Sequence, residues 1–210
     1  MGLDFFVKEG VLIPRPDTEN LVEEIINICK DKENLSILDI GTGSGAISVS
    51  LAKYLDAKIT SFDIEDIPLE VGKINAINNS VDVNFIKSDL FSAIEGKDIK
   101  FDVIVSNPPY ITDLEIKTLH PQVKDYEPCS ALFGGEDGLY FYKEITKESL
   151  NYLKSGGILA YEVGYNQAED VVNIMKRYNY QKVYKKKDIQ GIDRVVIGYK
   201  LWYNQRIDIF

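Results

Sequence analysis

Histidine is almost missing from this chain of 210 residues: His120 is the only one. Cysteine is scarce too, with Cys29 and Cys129 alone. The two form no CxxC pair and no cluster with His120, which argues against a zinc site, and no metal is expected. Both thiols read as inert in a reducing compartment, and a cytoplasmic location is expected. Basic charge is short as well. Against 33 Asp and Glu stand 24 Lys and Arg, a net charge of −9. That argues against a surface built to grip a nucleic-acid backbone, which needs a basic field, and no direct nucleic-acid contact is expected. The only basic run is KVYKKK, Lys182 to Lys187, which reads as a solvated strand face. No apolar run is long enough to span a membrane, and nothing at the start looks like a signal peptide. Met1-Gly2 makes no lipidation signal, because position 6 is Phe rather than Ser or Thr.

What is there is ordinary globular material, 45% hydrophobic and 27% charged. The length suits one domain over residues 1–210, with a lead-in and helix over 1–33 and a core over 34–210. In PDTENLVEEIINICK a helical stripe runs through Leu21, Val22, Ile25, Ile26 and Ile28, and Asp17 or Thr18 is placed to cap it. Strands are expected in LSILDI, KITSFDI, VDVNFIKSDLF, KFDVIVSN and ILAYEVG. Helices are expected in AISVSLAKYL, IPLEVGKINAINNS, LYFYKEITKESLNYLK and QAEDVVNIMKRYN, the third closed by Ser155-Gly156-Gly157. YQKVYKKKDI and DRVVIGYKLWY form two further strands around a QGID turn. The region between NPPY and Leu139 reads as irregular. The alternation predicts an α/β fold: a doubly wound, seven-stranded, mostly parallel sheet with an antiparallel C-terminal hairpin and one antiparallel edge strand. In such sheets ligands bind beyond the C-terminal strand ends. Two motifs fall there, GTGSG and NPPY.

LDIGTGSGA follows a strand and opens a helix. Gly41, Gly43 and Gly45 remove side chains where backbone must turn tightly and approach a ligand, with Thr42 and Ser44 between them. Asp63, at the tip of the next strand, can accept both hydroxyl protons of a ribose, and Ile64 follows it. A nicotinamide dinucleotide site would look similar, because Gly41, Gly43 and Ala46 satisfy the GxGxxG/A pattern. Two features favour S-adenosylmethionine. Asp39 precedes the first glycine by two residues, and a carboxylate there suits a cationic cofactor better than a pyrophosphate. Asp89-Leu90, ending the third strand, offers a polar-plus-apolar pair to an adenine.

NPPY, Asn107-Pro108-Pro109-Tyr110, fits methyl transfer to a planar nitrogen. The lone pair of such a nitrogen is delocalised, and it must be tilted toward the methyl group by directing both N–H bonds. The Asn107 side-chain oxygen can accept one N–H and the Pro108 carbonyl the other. The prolines fix φ and so pre-place both acceptors. Tyr110 supplies a stacking face. No general base is required first, which matches a rim without an obvious His or Lys.

NPPY after the fourth strand of a DxGxGxG fold resembles the amino-methyltransferases broadly. VLIPRPDTE, Val11 to Glu19, is narrower and resembles the hallmark of the HemK/PrmC family, which methylates the glutamine of the GGQ motif in peptide-chain release factors. YEPCSALFGGEDGLYFYKEI and DIQGIDRVVIG resemble that family's later segments, so the likeness runs from Phe5 to Tyr199. It implies a Rossmann-like class I S-adenosylmethionine-dependent methyltransferase, monomeric, with release factors as partners and S-adenosylhomocysteine as product. It implies that Asp39, Gly41, Thr42, Gly43, Ser44, Gly45, Asp63, Ile64, Asp89, Leu90 and Asn107 hold the cofactor. Asn107, Pro108, Pro109 and Tyr110 would hold the glutamine amide, with Phe6 walling the pocket. Arg15 and Glu19 would order a lid near the cofactor. The family's N-terminal helical domain is expected to be absent, since about a dozen residues precede PRPDTE. Leu90 stands where the family commonly has an aromatic. The rival readings are an adenine-N6 or guanine-N2 nucleic-acid methyltransferase with the same NPPY chemistry, and a catalytically idle binding domain.

Overall fold

The computed structural model describes residues 1–118, 128 and 131–201. His120 and Cys129 lie outside them. Seven strands form one sheet: β1 (Leu35–Ile40), β2 (Ala57–Asp63), β3 (Asn84–Lys87), β4 (Phe101–Ser106), β5 (Leu153–Glu162), β6 (Gln181–Lys187) and β7 (Asp193–Tyr199). Their order is β3-β2-β1-β4-β5-β7-β6. The helices are α1 (Pro16–Cys29), α2 (Ala46–Tyr54), α3 (Asp66–Asn78), α4 (Asp113–Thr118), α5 (Tyr140–Tyr152) and α6 (Ala168–Arg177).

Alternation along the central strands splits the core in two. Leu38, Ile40, Ile104, Leu159 and Tyr161 face a layer that includes Tyr142 and Ile145 of α5 and Val171 of α6. Ile37, Val103, Val105, Ile158 and Ala160 face Leu21 and Ile25 of α1 and Leu51 of α2. Both sides being covered, Val103, Ile104 and Val105 are all fully buried, which is why the parallel strands read as continuous apolar runs. The strand order reverses at β1 and β4, so both put their C-terminal ends at the crevice where ligands bind.

The structure corrects four expectations. The antiparallel strand is not at the edge: β7 lies between β5 and β6, antiparallel to both, and β6 is the edge. Ser155-Gly156-Gly157 does not close a helix but belongs to β5. The helix ends before it, and the ladder with β4 jumps register between Phe101 and Val103 there. Gly156 takes a φ of 74°, a bend open to glycine. Neither Asp17 nor Thr18 caps α1; the N-cap is Arg15, with no side-chain cap bond, and Pro16 opens the first turn. Finally, α4 is a short helix in the stretch read as irregular.

Candidate active site

The glycine loop is held by its own neighbourhood. The Gly41 and Thr42 amides both donate to the Phe62 carbonyl, at 2.8 and 3.0 Å. The Thr42 and Ser61 hydroxyls pair at 2.8 Å, and Ser61 donates to Asp39 Oδ2 at 2.9 Å. Gly41, Gly43 and Gly45 have φ of 88°, 54° and 80°, backbone that side chains rarely adopt. At Gly45 an added Cβ would come within 3.1 Å of the Gly72 Cα, so the loop is also pressed against α3. Asn75 of α3 donates to the Ser44 carbonyl at 2.8 Å.

Two acids border this loop, and burial acts on both. Asp39 is fully buried, and its Oδ1 has no hydrogen-bond partner among the described residues. Burial pushes its carboxyl up to about 8, against the pull of the Ser61 hydroxyl. Asp63 accepts the Gly43 amide at 3.2 Å on Oδ2 and the Glu65 amide at 3.0 Å on Oδ1. Burial raises it as well, and these backbone bonds oppose the rise. Each oxygen keeps an accepting position for a diol.

Asn107 follows β4 directly and stands across the crevice from the loop. A Cβ built on Gly41 would lie 3.9 Å from the Asn107 carbonyl oxygen. Leu12, Pro14, Arg15, Gly41, Gly43 and Asn107 line one cleft. Arg15 therefore stands beside the loop. Glu19 turns the other way, into a neighbouring cavity of about 350 Å³ with Leu3 and Phe5, where it meets the Met1 ammonium at 2.8 Å. Phe6 is tied to the loop's side of the rim: its amide donates to Asn75 Oδ1 at 2.7 Å and its carbonyl accepts from Asn75 Nδ2 at 2.9 Å. Its ring is 45% exposed, free to meet something from outside. Asp89 and Ile64 are exposed at the ends of β3 and β2, and Leu90 is half-buried. Leu90 holds a φ of 46°, an uncommon conformation for a branched residue, fixed by a bond from the Ser88 hydroxyl to the Leu90 carbonyl at 2.8 Å.

The NPPY corner is held from far along the chain. Gln167 Nε2 donates to the Tyr110 carbonyl at 2.9 Å and to Gly138 O at 3.3 Å. The Ile111 amide donates to Leu132 O at 2.9 Å, and Gly134 N to Ile111 O at 2.9 Å. Glycines permit this closeness: a Cβ on Gly134 would sit 2.6 Å from the Tyr110 Cα, and one on Gly138 2.4 Å from the Tyr110 carbonyl oxygen. Gly164 leaves room beside the ring, where a Cβ would stand 3.2 Å from Tyr110 Cδ2. Glu162, at the end of β5, is an acid that acts on this corner, adding to the rise that burial gives the Tyr110 phenol. It is 3% exposed, and the side chains of Thr18 and Asn107 lie beside its carboxylate and favour its charged form. Glu162 and Gln167 are the site residues that the sequence reading missed. The spacing Glu-Val-Gly-x-x-Gln at the end of a buried strand was the available signal, because charged residues seldom end a fully apolar run without a partner.

Three of the four lysines in the run pair with acids: Lys185 with Glu169 and Asp193, Lys186 with Glu24, and Lys187 with Asp193. Cys29 is buried and burial raises its thiol, as an inert cysteine requires. Among the described residues no cluster could hold a metal ion, and no helix is long and apolar enough to cross a membrane.

A parallel sheet with one antiparallel strand slipped in beside β5, and a glycine cradle facing an Asn-Pro-Pro-Tyr corner, is the class I methyltransferase arrangement. Residues 18–123 match the Methyltransferase small domain family. A release factor glutamine methyltransferase of Fusobacterium nucleatum is 50% identical over 201 residues, 95% of this chain and 56% of that protein. One of Clostridium botulinum is 45% identical over 199 residues, 93% of this chain and 70% of that protein. The crystal structure of a release factor-specific protein-(glutamine-N5) methyltransferase from Alicyclobacillus acidocaldarius superposes with a TM-score of 0.58 at 32% identity, covering 94% of this chain and 99% of that one. The chain belongs to the release factor glutamine methyltransferase family.

Proposed function

We propose that this chain transfers a methyl group from S-adenosylmethionine to the side-chain amide nitrogen of the glutamine in the GGQ motif of peptide-chain release factors, as a cytoplasmic monomer. The observation that carries the reading is the placement of Asn107 on the rim, in one cleft with Gly41 and Gly43. The residues fit the cofactor. Gly43 has nothing within 4 Å of an added Cβ, so the cradle is open on its ligand side. The unpartnered Oδ1 of Asp39 is placed beneath a loop that would receive a cation. Asp63 and Ile64 would hold the ribose side, and Asp89 and Leu90 the adenine side.

When bound, the cofactor supplies a sulfonium methyl group. Asn107 Oδ1 would accept one N–H of the glutamine amide and the Pro108 carbonyl the other, which leaves the nitrogen lone pair free to meet the methyl group that the cofactor would supply. The Tyr110 ring stacks on the amide plane, with Pro109 stiffening the turn, and Phe6 closes the outer wall. As the new N–C bond forms, the C–S bond of the sulfonium would break and release the demethylated cofactor; the nitrogen would then shed a proton to water, and no general base is needed before that. Arg15 orders the segment over the cofactor. The acid-paired lysines of β6 leave no basic groove there, which favours a protein substrate over nucleic acid.

Incubation with methyl-labelled cofactor and either a GGQ-containing domain or nucleic acid tests the reading. Label on the glutamine is expected. Label on nucleic acid alone overturns it, and no heat of binding with the cofactor or its demethylated product would favour an idle scaffold.

A further inference from the structure

Glu162 belongs to no motif named above, yet three of them meet on it. Thr18, from the PRPDTE segment, and Asn107, from NPPY, lie beside its carboxylate and favour its charged form. Arg194, from the final hairpin, lies near it and pairs with Asp17 at 3.2 Å. The sheet explains the meeting: Ser106 of β4 and Tyr161 of β5 are register partners, so the residues after them, Asn107 and Glu162, stand side by side and project to the same face. Tyr142 fixes the turn behind, its hydroxyl donating to the Glu162 carbonyl at 3.0 Å. Glu162 is 3% exposed, and its Oε2 has no partner among the described residues. A buried acid held so incompletely is costly unless the site uses it.

The use follows from the asymmetry of a carboxamide. Asn107 has one accepting end and one donating end, and methyl transfer requires the accepting end to face the substrate. Nothing in Asn107 itself sets which end points out, since the two are nearly equal in shape. A buried carboxylate can only accept, so it selects the amino end. We propose that Glu162 is a positioning residue: its carboxylate accepts from the Asn107 side-chain NH2, turns Oδ1 toward the rim, and polarises the amide so that Oδ1 accepts the substrate N–H more strongly. This inference rests on the methyl-transfer reading.

The groups facing Glu162 are Asp17 on α1, Arg194 on β7, and the phenols of Tyr110 and Tyr142. Burial, with Asp17 adding to it and Thr18, Arg194 and Asn107 opposing, pushes the carboxyl up to about 7. Protonated, Glu162 becomes a donor as well and loses its power to select. The rate of transfer is therefore expected to fall as pH drops through about 7.

The test uses the whole chain and two substitutions, with two readouts. In the first, NMR follows the Asn107 side-chain amide without substrate. Its two proton signals are expected to shift with a midpoint near 7, and Glu162→Gln is expected to abolish the shift. In the second, transfer to a GGQ domain is measured against pH. Glu162→Leu is expected to lower kcat by roughly 100-fold with cofactor affinity unchanged, on the scale of losing one positioned acceptor. Glu162→Gln is expected to recover part of kcat and to lose the acid limb of the profile. An Asn107 amide insensitive to both pH and Glu162→Gln overturns the inference, whatever the substrate proves to be. So does an acid limb that persists in Glu162→Gln, or a Glu162→Leu that loses cofactor affinity as much as turnover. Should Glu162→Leu fail to fold, the amide signals of Glu162→Gln decide. No transfer by the unaltered chain, with the amide titration intact, would sink the methyl-transfer reading and leave the role of Glu162 standing.

Discussion

The two loops on the rim are built in opposite ways. The glycine loop is fixed by what lies beside it: the backbone of β2, the hydroxyls of Thr42 and Ser61, and its own left-handed glycines. The NPPY corner is fixed by what lies far away: Gln167, which reaches Tyr110 across 57 residues of sequence, Glu162 behind Asn107, and three glycines that give way to it. A cradle for a flexible cofactor tolerates a backbone scaffold. An acceptor that must aim one lone pair needs side chains locked from behind.

The largest effect should come from the aimed acceptor. Asn107→Ala is expected to lower kcat by about 100- to 1,000-fold, the usual cost of removing one preorganised group in a transition state. Its affinity for the cofactor, measured by calorimetry, should stay within a few-fold of the original. Equal loss of both would mean that Asn107 belongs to the cradle and that the two loops are not separate devices.

Next comes the scaffold behind the corner. Gly138 has a φ of 69°, and an added Cβ would meet the Tyr110 carbonyl oxygen at 2.4 Å and Gln167 Nε2 at 2.5 Å. Gly138→Ala combines backbone strain with overpacking, each worth about 1–3 kcal/mol, and should lower the denaturation midpoint clearly while halting turnover. A midpoint that does not move would show that the corner is looser than these contacts imply.

This contrast also explains what could be read from the sequence. Locally fixed features were legible: GTGSG, Asp39, Asp63 and NPPY all stand where strand ends put them, and each of the seven strands overlaps a segment expected to form one, though β2 starts one residue early and β5 five residues early. Features fixed at long range were not. Glu162 and Gln167 look like the end of a strand and the start of a helix until β4 and β5 are set side by side. The place of β7 depends on which partner β5 accepts, which no residue of β7 announces. Ser155-Gly156-Gly157 has the composition of a helix stop, but the β4 ladder skips it, and it joins β5 through Lys200, whose carbonyl accepts the Gly156 amide at 3.1 Å and whose amide donates to the Gly157 carbonyl at 2.8 Å. Thr18 looks like a cap and is instead turned inward to Glu162, because Pro16 already starts the helix.

Asp39 tests the cradle through pH. Its carboxyl rises from 3.8 in a free chain to about 8 when folded. Below the lower value both states carry the proton. Above it the unfolded chain releases the proton while the folded chain holds it, so stability is lost progressively up to the higher value. Asp39→Asn should therefore unfold at higher denaturant than the original chain at pH 8, with a smaller difference at pH 4, and should bind the cofactor more weakly. A difference that does not grow with pH would mean that Asp39 is not the buried acid described here.

The smallest change in stability should come from the open side of the cradle. At Gly43 an added Cβ meets nothing within 4 Å, and the φ of 54° lies in the left-handed region that alanine reaches at modest cost. Gly43→Ala is expected to cost about 1 kcal/mol of stability, well below Gly138→Ala. The new methyl group would stand where the cofactor approaches, so cofactor affinity should fall by at least about tenfold, the equivalent of 1.4 kcal/mol. The two glycine substitutions should thus part company: one breaks the fold of a loop and the other fills the space that the loop encloses. If Gly43→Ala left cofactor affinity unchanged, the ligand would lie elsewhere on the rim, and the division between a backbone cradle and a side-chain aim would have to be redrawn.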